Sequence, residues 1–151
     1  MIEPEEIAKR VEEIGDRINS DYRGRRPVLV GVLKIAFMFL SDLLKEIDIP
    51  VEIDFFSIYS YNGTKSSGVV RITQDLSLNI EGRDVILVED IVDSGSTLDY
   101  IIKNLKTRQP KSIAVCTLLK KKTKRFKEVT LKYVGFEIPD RFVVSYGFDY
   151  K

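Results

Sequence analysis

Histidine is absent from this 151-residue chain, and cysteine occurs once. Catalysis therefore has no imidazole to use, and any metal ligands must be mainly oxygen. The single thiol, Cys116, has no partner for an internal disulfide, which fits a reducing compartment. No apolar run approaches the roughly 20 residues of a membrane span. The start, MIEPEEIAKR, lacks the apolar stretch of a secretory leader, so a cytoplasmic location is expected. An excess of either charge is also missing: 24 basic against 23 acidic residues leave a net charge of +1. That balance gives no general attraction to nucleic acid or membrane surfaces. Any anion site has to be local.

Apolar residues make up 44% of the chain and charged residues 31%, the composition of a folded globular protein. The length suits one domain over residues 1–151 with a core of its own. Ile7, Val11, Ile14 and Ile18 recur at helical spacing, with Pro4 suited to a first turn. Residues 28–33 (VLVGVL) read as a buried strand. Phe37, Leu40, Leu43, Leu44 and Ile47 then form a second helical stripe, ended by Pro50. Residues 51–58 read as a strand, and 59–68 (YSYNGTKSSG) as a mobile loop. A returning strand is expected at 69–73 and another short piece at 76–80. Residues 85–88 are a second fully apolar strand. Leu98, Ile101, Ile102 and Leu105 give the helix after it, and 113–119 the next strand. Residues 133–136 and 142–144 are brief strand candidates. Apolar strands alternating with amphipathic helices predict an α/β fold with a parallel sheet covered on both faces. Ligands of such sheets sit beyond the carboxyl ends of the strands, which directs attention to residues 34–36, 89–97 and 120–125.

Residues 85–97 (VILVEDIVDSGST) carry the most chemistry. A buried strand ends in two adjacent carboxylates, Glu89 and Asp90. A short loop with Asp93, Ser94 and Gly95 follows, and Ser96 and Thr97 open a helix. Backbone N–H groups and hydroxyls at a helix start form a cradle for a phosphate, and Gly95 allows close backbone approach. The carboxylates repel phosphate but suit sugar hydroxyls or a divalent metal. Phosphate, diol and metal together describe a phosphorylated ribose. The simpler alternative is that Asp93 or Ser94 only caps the helix and the acids are solvated.

This run resembles the donor-binding motif of type I phosphoribosyltransferases. Residues 29–40 (LVGVLKIAFMFL), 57–72, 118–123 (LLKKKT) and 134–150 (VGFEIPDRFVVSYGFDY) extend the resemblance, in order, to the hypoxanthine-guanine phosphoribosyltransferases. The resemblance implies a parallel twisted sheet flanked by helices, a flexible loop over the active site and a small hood from the chain termini. It implies transfer of a phosphoribosyl group from phosphoribosyl pyrophosphate to N9 of a 6-oxopurine, with Mg2+ as cofactor. By similarity, Glu89 and Asp90 bind the ribose hydroxyls directly or through the metal. Asp93 is the acid/base group at purine N7, and Ser94, Gly95, Ser96 and Thr97 wrap the 5-phosphate. Lys34, preceded in the family by a cis peptide, binds pyrophosphate. Lys121 reads the exocyclic oxygen, Phe142 stacks on the purine, Val143 offers backbone hydrogen bonds, and Asp149 lies near the base edge and a second Mg2+. Ser60 and Tyr61 belong to the loop that closes over the reacting centre; an ordinary surface hairpin is the alternative. Relatives form homodimers or homotetramers, and the expected partners are small molecules, without nucleic acid or membrane.

Lysines and arginine at 120–127 also read as a solvated basic stretch, with Arg125 a candidate for pyrophosphate. Two departures from the family stand out. Ile35 replaces the usual glycine after the lysine, and relatives continue past Lys151 with an arginine that contacts pyrophosphate. A regulator of the same fold that senses nucleotides and binds RNA or DNA is the rival reading, and a transferase for another base such as xanthine is the third.

Overall fold

A computed structural model describes residues 2–60, 70–124 and 129–139. The helices are α1 (Pro4–Asp21), α2 (Ala36–Leu44) and α3 (Ser96–Lys106). The strands are β1 (Val28–Val32), β2 (Glu52–Ser60), β3 (Val70–Gln74), β4 (Asp84–Val92), β5 (Ser112–Lys121) and β6 (Tyr133–Ile138). They form one sheet in the order β3-β2-β1-β4-β5-β6. β2, β1, β4, β5 and β6 run parallel, and β3 returns antiparallel along β2.

Alternation along the central strands explains why they are continuously apolar. Val28, Val30, Val85 and Leu87 face α3, packing with Leu98, Ile101 and Leu105. Leu29, Ile86 and Val88 face the other way, against Phe39, Leu40 and Leu43 of α2 and Val11, Ile14 and Ile18 of α1. Each strand thus buries both faces, as parallel strands under helices do. Gly31 lets α2 come close, since a Cβ there would lie 2.9 Å from Leu40 Cδ2.

The order of the strands positions the site. From β1 the chain steps to β2 on one side and later to β4 on the other. The carboxyl ends of β1 and β4 therefore flank a topological switch point, where loops diverge and leave a crevice. Lys34 follows β1, Glu89 to Val92 end β4, and Asp93 follows directly.

Several expectations need correction. The sheet itself is the mostly parallel one expected, with β3 as the antiparallel returning strand along β2. It is not covered everywhere: Ile53 and Phe55 of β2 are exposed. Tyr59 and Ser60 belong to β2 rather than to the loop. The stripe of α2 is shifted, with Ala36, Phe39, Leu40 and Leu43 buried and Phe37 facing outward, and the helix stops at Leu44. Residues 76–80 are not a strand. Their backbone is held by the buried carboxylate of Asp54, whose Oδ2 accepts N–H groups from Ser77 at 2.9 Å and Leu78 at 2.8 Å. Asp54 Oδ1 also accepts the Phe55 N–H at 2.8 Å. Asp54→Ala would leave these donors without their acceptor. It is expected to cost about 1.5–3 kcal/mol of unfolding free energy in urea titration; a loss below about 0.5 kcal/mol would show the segment is held by other means. The strand expected at 142–144 lies outside the described residues, as do residues 61–68 of the expected loop, Val69 and the C-terminal part of the expected hood.

Candidate active site

β4 runs fully buried from Asp84 to Val88 and keeps its strand geometry through Val92. Its last residues emerge at the sheet's carboxyl edge, where a cavity of about 160 Å³ opens. It is lined by Glu89, Ile91, Val92, Asp93, Ser94, Gly95, Ser96, Thr97 and Leu98. Seven of the eight residues proposed for the donor cluster at the junction of β4 and α3. Six of these line the cavity, and the seventh, Asp90, is buried beside it. Ile91, Val92 and Leu98 were not singled out from sequence. Only their place inside the motif could have flagged them, because apolar lining residues look like core.

The turn into α3 depends on Gly95. It is the N-cap, at φ 85° and ψ 0°, in the left-handed region that side chains disfavour. Neither Asp93 nor Ser94 is the cap, so the simple capping reading fails for both. Ser94 contributes differently. Its Oγ accepts the Ser96 N–H at 3.3 Å and donates to Ser96 Oγ at 3.1 Å. The Gly95 carbonyl accepts the Asp99 N–H at 2.8 Å, which closes the first helical turn. With the cap position taken by a residue without a side chain, the N–H end of α3 and the hydroxyls of Ser96 and Thr97 face an open concavity. Such a helix end favours an anion.

Glu89 and Asp90 have different surroundings. Asp90 is buried. Glu89 reaches solvent only in part, and its Oε1 accepts the Asp90 N–H at 3.2 Å. Burial, with a smaller push from the neighbouring Asp90 charge, raises the Glu89 carboxyl from its ordinary 4.5 to about 8, against the opposing effect of that hydrogen bond. An acid whose value is raised by folding is protonated in the native state where the unfolded chain is ionised. Stability therefore falls as pH rises from about 4.5, and the full penalty is present above about 8. Glu89→Gln removes the charge. It is expected to raise the melting temperature of the ligand-free protein at pH 9 and to leave it nearly unchanged at pH 4. Equal gains at both pH values would show that charge burial is not the cause.

Two oxygen donors on adjacent residues do not make a metal cage, and among the described residues no group of three or more acidic, histidine or cysteine side chains converges. This pair fits a hard divalent cation that takes most of its ligands from a phosphorylated substrate, as Mg2+ does.

Lys34 stands at the end of β1, exposed, after a cis Leu33–Lys34 peptide, as the resemblance implied. Ile35 is 47% exposed and contributes no packing that would explain the replacement of glycine. Lys121 ends β5, and its Nζ lies 3.9 Å from Asp93 Oδ2. Sequence spacing gave no sign of this pair; it arises because Val92 and Lys120 are register partners across β4 and β5. Ser60 ends β2 at the same sheet edge. Tyr61, Arg125, Phe142, Val143 and Asp149 lie outside the described residues.

The chain matches the phosphoribosyl transferase domain family over residues 1–151. It is 47% identical over 151 residues to a hypoxanthine-guanine phosphoribosyltransferase of Bacillus subtilis, with 99% of this chain and 84% of that protein covered. It is also 47% identical over 151 residues to a bifunctional TilS/HprT protein of Listeria monocytogenes, of which it spans 23%. A crystal structure of a Bacillus anthracis hypoxanthine-guanine phosphoribosyltransferase superposes with a TM-score of 0.92 at 41% identity, covering 99% of this chain and 88% of that one.

Proposed function

Because the chain belongs to the phosphoribosyltransferase family, among the hypoxanthine-guanine enzymes, we propose that it transfers the 5-phosphoribosyl group of phosphoribosyl pyrophosphate to N9 of hypoxanthine or guanine. The products are IMP or GMP and pyrophosphate, a purine-salvage reaction in the cytoplasm. Residues 1–151 act in it as one catalytic domain. The observation that carries this reading is the glycine-turned start of α3 set directly beside the acidic end of β4. One end suits a phosphate and the other a ribose diol, and both border one cavity.

The α3 N–H groups, with Ser94, Ser96 and Thr97, bind the 5-phosphate. Glu89 and Asp90 hold the ribose hydroxyls and a Mg2+ ion, with Asp149 as a further metal ligand. The ion, when bound, neutralises charge on the pyrophosphate oxygens. Lys34 adds positive charge at the pyrophosphate end. In the reaction the bond from C1 to N9 forms while the bond from C1 to the pyrophosphate oxygen breaks. The proton lost from the base at N7 passes to the Asp93 carboxylate and then to solvent. Lys121 donates to the 6-oxo group, which discriminates against a 6-amino base. Phe142 stacks on the purine and Val143 binds its edge through the backbone. Ser60, at the end of β2, and Tyr61, on the closing loop that follows, exclude water that would hydrolyse the donor.

Turnover with donor, Mg2+ and hypoxanthine, guanine, xanthine, adenine or uracil tests the reading. The 6-oxopurines are expected to react. Preference for adenine would remove Lys121 from its role, and salt-dependent RNA binding without turnover would favour a regulator.

We also propose that it works as at least a homodimer. Ile35 (47%), Phe37 (49%), Ile53 (42%), Phe55 (37%) and Tyr59 (50%) are its large exposed apolar side chains among the described residues. Ile53, Phe55 and Tyr59 alternate onto one face of β2. On that face Phe55 neighbours Gly31, the residue over which α2 packs. Clustered exposure of this kind marks an association surface. Sedimentation equilibrium is expected to give at least twice the chain mass.

A further inference from the structure

We propose that Lys121 is also a positioning residue for Asp93, holding that carboxylate at the cavity wall, beyond any contact it makes with the base. The inference rests on the reaction proposed above.

Two groups with separate tasks stand 3.9 Å apart, Lys121 Nζ and Asp93 Oδ2, at ion-pair distance. Their backbones are held very differently. Lys121 pairs with Ile138 of β6, its predecessor Lys120 pairs with Val92 of β4, and the following Lys122 N–H donates to the Ile138 carbonyl at 2.8 Å. The lysine is therefore delivered from a strand fixed on both sides. Asp93 is the first residue past β4, in the loop that turns at Gly95. The side chains differ in the same sense: Lys121 is 21% exposed and Asp93 48%. The cation is the more enclosed partner on the more rigid support, so it is the anchor. A charge pair sheltered on one side is screened less than one in open water.

Placement matters because proton transfer requires hydrogen-bond reach, and a small misplacement of the acceptor costs rate steeply. Asp93 also precedes Ser94, whose Oγ accepts the Ser96 N–H.

The test is a double-mutant cycle on hypoxanthine turnover with Lys121→Gln, Asp93→Asn and both together, read separately as kcat and KM. Lys121→Gln is expected to lower kcat by about tenfold in the native background, and to lower it little further when Asp93 is already Asn, as coupled residues do. Its effect on KM for the base is expected in both backgrounds. Lys121→Arg restores much of kcat by restoring the charge. A change confined to KM, or kcat losses that multiply independently, would overturn the proposal. The Asp93 carboxyl 13C signal of the ligand-free protein gives a readout apart from turnover. It is expected to move in Lys121→Gln and to return towards native in Lys121→Arg; an unmoved signal also overturns the pairing. Native protein that turns over no base but shows the carboxyl shift would refute the reaction and keep the ion pair, so the two failures are distinct.

Discussion

Asp93→Asn is expected to lower kcat by about 10²–10⁴-fold, the range that a well-placed general base contributes. Donor affinity should stay within a few-fold of native. The two side chains have the same shape, so the loop between β4 and α3 keeps its path, and the contacts expected for the 5-phosphate come from Gly95, Ser96 and Thr97 rather than from residue 93. Asp93 lies on the cavity wall, half exposed, where an incoming base can reach it. Asn cannot accept the proton that the base gives up. Calorimetric titration with the donor, beside steady-state turnover, separates the two effects. Full activity in the variant would remove Asp93 from proton transfer. A parallel loss of donor affinity would assign it to binding instead.

Gly95→Ala is expected to have the second largest effect, and to act on binding. Gly95 sits at φ 85°, where a Cβ costs roughly 1–2 kcal/mol. The chain can relieve that strain by turning the first N–H groups of α3 away from the cradle. Donor affinity should then fall by about tenfold or more, since about 1.4 kcal/mol corresponds to tenfold. Gly24 supplies the control. It has a similar φ of 81°, and a Cβ there meets nothing within 4 Å. Gly24→Ala is therefore expected to lose similar stability in urea titration with donor affinity unchanged. Equal donor affinity in Gly95→Ala and native protein would show that the helix start does not carry the phosphate.

Local pattern made much of this molecule readable. The apolar runs around Leu29, Ile86 and Val115 announce strands buried on both faces, because a parallel strand covered by helices on each side is apolar at nearly every position. Leu98, Ile101 and Leu105 announce α3 by their spacing. Residues 85–97 showed their chemistry in order, since strand end, acids, glycine and hydroxyls are contiguous and their geometry is set within one turn of chain. The readings that needed correction were those that depend on distant neighbours. Residues 76–80 look like a strand, but the Asp54 carboxylate, more than twenty residues earlier, takes two of their N–H groups. Phe37 looks like core, but Phe39 faces the sheet and Phe37 does not.

The sequence by itself determined the α/β alternation and the family resemblance. It also determined the contiguous phosphate-and-acid motif, because each of these is encoded in periodicity or in adjacent residues. Only the tertiary structure decided where these pieces meet. Strand order put β1 beside β4 and so brought Lys34 to the edge where Glu89 and Asp93 end. Burial set the Glu89 carboxyl at about 8. Register across β4 and β5 placed Lys121 against Asp93, twenty-eight residues away in the chain. Such pairings follow from which strands lie side by side, and no local spacing records that.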